Sequence, residues 1–165
     1  CKNLGAQDAF NYKDSEKPWS AALMEVTEGK GINVVLDCVG GTHVEGNLAV
    51  LTTDARWVLF GMMGGGSLPT GENFLARLMG KRISLRTTTL RMRSKEYKAK
   101  LIQRFGEEAL PHFQVQESGA APRLELQIDS TYSLEKTDEA YARLMANLNF
   151  GKIIITVQKE DMSDL

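Results

Sequence analysis

Apolar residues along most of this chain come in short continuous runs, with amphipathic stretches between them. The runs rich in β-branched residues predict strands, at 31–41, 56–62 and 83–90. Stretches with apolar residues at helical spacing predict helices, at 43–51, 72–80 and 95–113. Because continuous apolar strands alternate with helices, the pattern predicts an α/β fold with a parallel sheet covered on both faces.

The first residues of the chain predict three further elements. Residues 1–6 read as the last turn of a helix closed by Gly5, where a positive φ is easy for glycine. Residues 8–12 predict a short strand, and residues 15–28 predict a helix with Pro18 near its start.

The regular alternation of predicted strands and helices changes after about residue 113. Here the sequence predicts a loop, a strand, an amphipathic helix, a closing strand and a charged tail, at 116–123, 124–134, 135–148, 151–157 and 158–165. The change of rhythm predicts a second structural part that starts at about residue 120.

Composition excludes several classes of protein. The 165 residues are 42% hydrophobic and 25% charged, with a net charge of −1, so no basic footprint for nucleic acid is present. No apolar run approaches the roughly 20 residues of a membrane span, and no signal peptide is visible. With only Cys1 and Cys38, a disulfide framework and a thiolate zinc cluster are excluded, and a cytoplasmic location is expected.

Small, polar and cationic residues follow each of the three central strands. These stretches are DCVGG at 37–41, FGMMGGG at 60–66 and TTTLRMR at 87–93. In a doubly wound sheet, ligands bind beyond the carboxyl ends of the strands, so the stretches predict one shared ligand crevice. The alternative is that glycines at strand ends serve turns only. None of the stretches has the G-x-G-x-x-G spacing of a dinucleotide phosphate loop.

The chain starts without Met, in the middle of a helical pattern. We therefore interpret it as a fragment, with the first strand and the glycine-rich phosphate loop expected upstream of Cys1.

Three segments carry a resemblance to a known family: residues 4–12, 31–66 and 151–157. They resemble the cofactor domain and C-terminus of the zinc-independent quinone oxidoreductases of the medium-chain dehydrogenase/reductase superfamily, nearest to the p53-inducible branch. The resemblance implies that residues 1–113 form an incomplete Rossmann domain, a doubly wound parallel sheet that binds a dinucleotide. Residues 120–165 would be the C-terminal segment of a GroES-like catalytic domain.

The same resemblance implies a set of cofactor-binding residues: Tyr12, Gly40, Gly41, Thr42, Phe60, Gly61, Met62, Gly66, Arg91 and Asn149. Tyr12 would lie near the adenosine 2′-phosphate, and residues 60–66 would run along the nicotinamide. Each polar candidate also has a structural alternative. Tyr12 could be a strand-end aromatic, Thr42 a helix N-cap, Arg91 a solvated charge and Asn149 a turn residue.

The family's chemistry is hydride transfer from NADPH to a quinone or an activated alkene. The cofactor carries this reaction, so we expect no catalytic residue in this chain, no metal ligand, and no activity from these residues alone. We interpret His43, His112, Asp37 and Cys38 as structural. A homodimer is expected, with residues 83–90 as a plausible edge strand. The alternatives are an enoyl or alkenal reductase of the same superfamily and a non-catalytic nucleotide-binding module.

Overall fold

The computed structural model describes residues 1–13, 16–67, 73–113 and 124–157. The chain divides into two compact units, Cys1–Arg93 and Ser94–Leu165. The predicted tail at 158–165 and the predicted loop at 116–123 lie outside the described residues. Within the described ranges, no helix has the length and apolar character needed to cross a bilayer.

The first unit is a three-stranded parallel sheet in which a helix precedes each strand along the chain. Its helices are α1 (Trp19–Val26), α2 (Val44–Val50) and α3 (Phe74–Gly80), and its strands are β1 (Ile32–Asp37), β2 (Leu51–Leu59) and β3 (Ser84–Thr87). The strands lie in the order β1-β2-β3, with both pairs parallel. The predicted α/β fold is confirmed, and this part of the chain has the form of a partial Rossmann domain.

Two of the strands predicted for this unit differ from the structure. Residues 8–12 form no strand, and no described strand pairs with them, so the short apolar stretch has no ladder to join. Strand β2 starts at Leu51, not at residue 56, because Leu51 pairs with Ile32 before a bulge carries the register to Arg56. Asp54 within the bulge has a φ of 62°, a left-handed conformation that interrupts the alternation expected of a strand.

The core of the first unit is built around Trp57 of β2, which is 1% exposed. Trp57 packs with Val44 and Leu48 of α2, and the ring of Phe74 on α3 meets it edge-on at 6.4 Å. The other face of β1 is less covered, since Val34 is 43% and Leu36 is 70% exposed. In the described residues, only one face of the sheet is therefore covered, whereas the sequence pattern predicted that both faces are.

The second unit contains a strand-helix-strand motif. Its elements are α4 (Lys95–Glu108), β4 (Ile128–Ser133), α5 (Thr137–Met145) and β5 (Lys152–Thr156), and β4 pairs with β5 in parallel. The predicted helix at 95–113 ends at Glu108 and continues after a break as a 3₁₀ turn, Leu110–Phe113. The assignment of residues 1–113 and 120–165 to two functional domains stays a prediction.

A partly buried ion pair ties the elements of this motif together. Asp129 of β4 accepts bonds from Arg143 Nε at 2.6 Å and Nη2 at 2.9 Å, and from the Phe150 amide at 2.9 Å. The side chain of Asp129 is only 7% exposed. The guanidinium of Arg143, with the donors of Phe150 and Ser130, holds the pKa of Asp129 far below its usual range.

We expect this pair to make stability depend on pH. Because the native pKa of Asp129 lies below the unfolded value of 3.8, its contribution is complete above that value. The contribution is lost as the pH falls below about 4 and toward the native pKa. In urea unfolding, the free energy of unfolding of Asp129→Asn should be lower than that of wild type at neutral pH. This difference should become smaller in acid.

Glu139→Gln on α5 is the control for this prediction, because Glu139 forms a solvent-exposed pair with Lys136 at 3.4 Å. The difference in free energy of unfolding between Glu139→Gln and wild type should be small at every pH. A gap for Asp129→Asn that stays constant into acid would contradict the role given to the ion pair.

Candidate functional site

The carboxyl ends of the three strands lie level with one another. Asp37 of β1 pairs with Leu59 of β2, and Leu59 pairs with Thr87 of β3. Because the strands are parallel, the chain leaves all three at the same edge of the sheet. The three strand ends therefore lie at one edge, which the predicted ligand crevice requires, while the crevice itself stays a prediction.

The two glycine-rich loops at this edge are hydrogen-bonded to each other. The Gly41 amide donates to Gly65 O at 2.9 Å, and the Gly64 amide donates to Val39 O at 2.7 Å. At the start of the loops, the Phe60 amide donates to Asp37 O at 2.9 Å. The loops therefore form a continuous backbone extension of the β1–β2 ladder.

This close packing explains several of the glycines. A Cβ on Gly41 would lie 2.7 Å from the carbonyl oxygens of Gly64 and Gly65, and one on Gly61 would lie 2.6 Å from Cys38 O. Gly40 and Gly41 are buried against the neighbouring loop. Gly66 is different, because it is exposed and a Cβ there would meet only Met62 Sδ, at 3.3 Å. Some of the glycines serve loop packing, and Gly66 leaves open backbone.

The side chain of Asp37 fixes the first of these loops to the core. Its Oδ1 accepts bonds from the amides of Val39 at 2.8 Å and Gly40 at 2.9 Å. Its Oδ2 accepts bonds from Asn47 Nδ2 at 2.9 Å and Trp57 Nε1 at 3.1 Å. With four donors around a carboxylate that is 4% exposed, the structural interpretation of Asp37 is confirmed.

A hollow of about 530 Å³ opens at the ends of β2 and β3, and we call it the strand-end hollow. One side consists of the end of β2 and the residues that follow it, and the other side of the residues at and after the end of β3. The lining residues are Leu59, Phe60, Gly61, Met62, Thr87, Thr88, Thr89, Met92 and Arg93. The predicted residues Phe60, Gly61 and Met62 thus lie together on one wall.

A smaller hollow of about 80 Å³, the inner hollow, lies beside the glycine loops. Gly40, Gly41, Gly66 and Met62 are among its lining residues. Because Leu59 and Met62 line both hollows, the two are neighbours along the end of β2. The structure brings these glycines and the 60–62 wall to one region of the sheet edge.

The other predicted residues lie elsewhere or have local partners. Tyr12 is 58% exposed and its ring lies 5.9 Å from that of His43, edge-on. Thr42 is exposed within the 3₁₀ turn Gly41–His43, and the N-cap of α2 is His43, so the N-cap interpretation of Thr42 is wrong. Asn149 donates from Nδ2 to Gly151 O at 2.8 Å, as a turn residue does.

Arg91 is exposed and is not among the residues that line the strand-end hollow. Sequence reasoning missed the lining contributed by Thr87, Thr88, Thr89 and Arg93. Their signal was available in the run TTTLRMR, because β3 ends at Thr87 and the following residues had to lie beside the end of β2. The pattern identified the stretch but not which of its arginines turns back toward the sheet.

The donor chemistry of this edge does not fit a zinc site. Among residues 1–13, 16–67, 73–113 and 124–157, no group of three or more His, Cys, Asp or Glu side chains could hold a metal ion. His43 packs its ring 5.4 Å from that of Trp19, in agreement with its structural interpretation. The described lining of the strand-end hollow offers backbone groups, hydroxyls, apolar side chains and the guanidinium of Arg93.

Solved structures of several proteins have the same fold. An NAD-dependent alcohol dehydrogenase is similar with a TM-score of 0.66 and 23% identity, over 95% of this chain and 40% of that one. A mycobacterial quinone oxidoreductase is similar with a TM-score of 0.61 and 23% identity, over 94% of this chain and 44% of that one. CurA from Vibrio vulnificus, in complex with NADPH, is similar with a TM-score of 0.63 and 20% identity, over 94% of this chain and 44% of that one.

At these identities the likeness concerns the fold. This chain spans 40% to 44% of the length of these three proteins. The family model described as zinc-binding dehydrogenase matches residues 1–107, which is more than half of the chain. The chain therefore belongs to the zinc-binding dehydrogenase family of the medium-chain dehydrogenase/reductase superfamily.

Proposed function

We propose that the natural protein is a zinc-independent oxidoreductase that transfers hydride from NADPH to a small quinone or activated alkene. The observation that carries this proposal is the strand-end hollow, which combines an apolar wall, bare backbone and polar groups at the carboxyl edge of a parallel sheet. That edge is where doubly wound folds bind their ligands. The similarity to a quinone oxidoreductase and to a protein that binds NADPH supports the choice.

The chain's own residues fit a nicotinamide group at this place. Phe60 and Met62 supply an apolar surface, with half of the Phe60 side chain exposed, and Met92 supplies a second one opposite. A flat ring between such walls would be shielded from water. Gly61 allows approach to the backbone, and the hydroxyls of Thr88 and Thr89 can bond to a carboxamide.

When bound, the reduced nicotinamide supplies the hydride, and this half of the protein orients it. The residues that line the hollow are proposed to position the cofactor and not to react with the substrate. The proposed cofactor ligands are those implied by the family resemblance, including Tyr12, Arg91 and Asn149. NADPH is proposed over NADH on that resemblance alone.

We further propose that the protein acts as a homodimer in the cytoplasm. Strand β3 is at an edge of the three-stranded sheet in the described residues, so its outer backbone groups can pair with another copy.

The proposal is tested by the oxidation of NADPH in the presence of a benzoquinone, measured with the natural protein in its full length. We expect turnover that depends on both reagents and is unchanged after dialysis against a zinc chelator. The 165-residue chain by itself is the control, and we expect no turnover from it.

The outcomes separate the alternatives. Oxidation of NADPH with an alkenal but with no quinone would favour the enoyl or alkenal reductase. Binding of NADPH without oxidation by either acceptor would favour a non-catalytic nucleotide-binding module. Loss of activity on zinc removal, with recovery on zinc addition, would contradict the zinc-independent mechanism.

A further inference from the structure

Two methionine side chains line the strand-end hollow, one from each of its sides. Met62, after the end of β2, is 64% exposed, and Met92, after the end of β3, is 81% exposed. Met62 also lines the inner hollow, and a Cβ on Gly66 would lie 3.3 Å from its Sδ. The sulfur of Met62 therefore lies beside backbone that is itself exposed.

The thioether is the group of these apolar side chains that an oxidant can change. Oxidation gives methionine sulfoxide, which is polar and disrupts apolar contacts. Because both side chains are exposed, an oxidant in solution can reach their sulfur atoms. Other methionines are exposed as well, but they do not line the hollow: Met63, Met79 and Met145.

The proposed reaction leads to a suitable oxidant. A hydroquinone product that is reoxidised by dioxygen gives up two electrons and two protons, which yields the quinone and hydrogen peroxide. The thioether sulfur attacks one oxygen of the peroxide, and the O–O bond breaks. That oxygen stays on the sulfur, and the other leaves as water with both protons. The sulfur loses two electrons, and the peroxide gains them.

We propose that Met62 and Met92 form an oxidation site, at which peroxide makes the walls of the strand-end hollow polar and so weakens binding of the nicotinamide cofactor. This inference rests on the proposed function, because the oxidant derives from the proposed product. The face of a flat ring that covers a sulfoxide oxygen removes it from water and offers no N–H or O–H donor in return, which costs free energy.

The test measures the dissociation constant for NADPH with the natural protein in its full length, before treatment with hydrogen peroxide and after its removal. Dithiothreitol then reverses disulfides and sulfenic acids at Cys1 and Cys38 but leaves methionine sulfoxide in place. Mass spectrometry should find sulfoxide at Met62 and Met92, and we expect about tenfold weaker binding of NADPH. Methionine sulfoxide reductases A and B should restore the binding.

Substitution by leucine assigns the effect to these two sulfur atoms. Met62→Leu combined with Met92→Leu removes both and keeps apolar side chains of similar volume. The dissociation constant of this double variant should be the same before and after peroxide. Met63→Leu is the matched control, because Met63 is 83% exposed and lines neither hollow. Peroxide should weaken its binding of NADPH as much as that of wild type.

The outcomes separate the inference from the proposed function. If wild type binds NADPH equally well with and without sulfoxide at both positions, the inference fails and the proposed function stands. The same holds if peroxide leaves Met62 and Met92 unoxidised, or if the double variant loses as much affinity as wild type. If untreated wild type binds no NADPH, both fail. The recovery by the reductases is measured on wild type, so it tests the inference even where the double variant does not fold.

Discussion

Replacing Asp37 by asparagine should destabilise the first unit by about 3 kcal/mol, because a buried carboxylate that accepts four bonds loses half of its acceptors. The asparagine oxygen can still accept from the amides of Val39 and Gly40. Its amide group would then face two donors, Asn47 Nδ2 and Trp57 Nε1. Asn47 can turn its amide over, but the indole N–H has no acceptor to offer. Urea unfolding of the two proteins measures the difference.

Asp54→Asn is the matched control on the adjacent strand. Asp54 pairs with Arg82 at 2.7 Å, but both side chains are 65% exposed. Asparagine also tolerates the left-handed conformation of that position, so we expect a change below about 1 kcal/mol.

A double-mutant cycle tests the mechanism of the Asp37 effect. Trp57→Phe removes the indole donor, so it should cost less in the Asp37→Asn background than in wild type, by about 1 kcal/mol. Additive effects of the two substitutions would show that the buried hydrogen bond is not the origin of the destabilisation.

Gly41→Ala should cost about 3 kcal/mol and force the two glycine loops apart. The new Cβ would lie 2.7 Å from two carbonyl oxygens, of Gly64 and Gly65, and 2.9 Å from that of Ser67. These are backbone atoms, which cannot move aside as a flexible side chain can. Chemical denaturation gives the loss of stability, and amide chemical shifts at residues 61–66 report the displacement of the facing loop.

Gly66→Ala is the companion variant, since its Cβ would meet only the flexible end of Met62. We expect a change within about 0.5 kcal/mol and unchanged shifts in residues 38–42. If Gly41→Ala proved as mild as Gly66→Ala, close packing would not be the reason for glycine at position 41.

The sequence pattern predicted the elements of the sheet well because each strand is a continuous apolar run followed by glycine or polar residues. It failed where the backbone departs from regular geometry. Polar residues and a bulge precede Arg56 in β2, so the apolar pattern did not indicate where the strand starts. Residues 8–12 have the composition of a strand, but no described strand pairs with them. Secondary structure of that kind depends on tertiary pairing, which local composition does not encode.

For the candidate site, the sequence predicted the region more reliably than the residues. Parallel strands place their ends together, so the stretches after β1, β2 and β3 could be assigned to one edge. The pattern could not separate a glycine that packs against a loop, such as Gly41, from one beside open space, such as Gly66. It also could not distinguish Arg91 from Arg93, because that depends on the turn closed at Leu90.

The bonding between the two glycine loops has a consequence for the thermodynamics of binding. Loops that must be ordered by a ligand subtract the entropy of that ordering from the affinity. Here the loop backbones are already fixed to each other and, through Asp37, to the core. A ligand at this edge would therefore meet a preorganised surface and keep most of its contact energy as affinity.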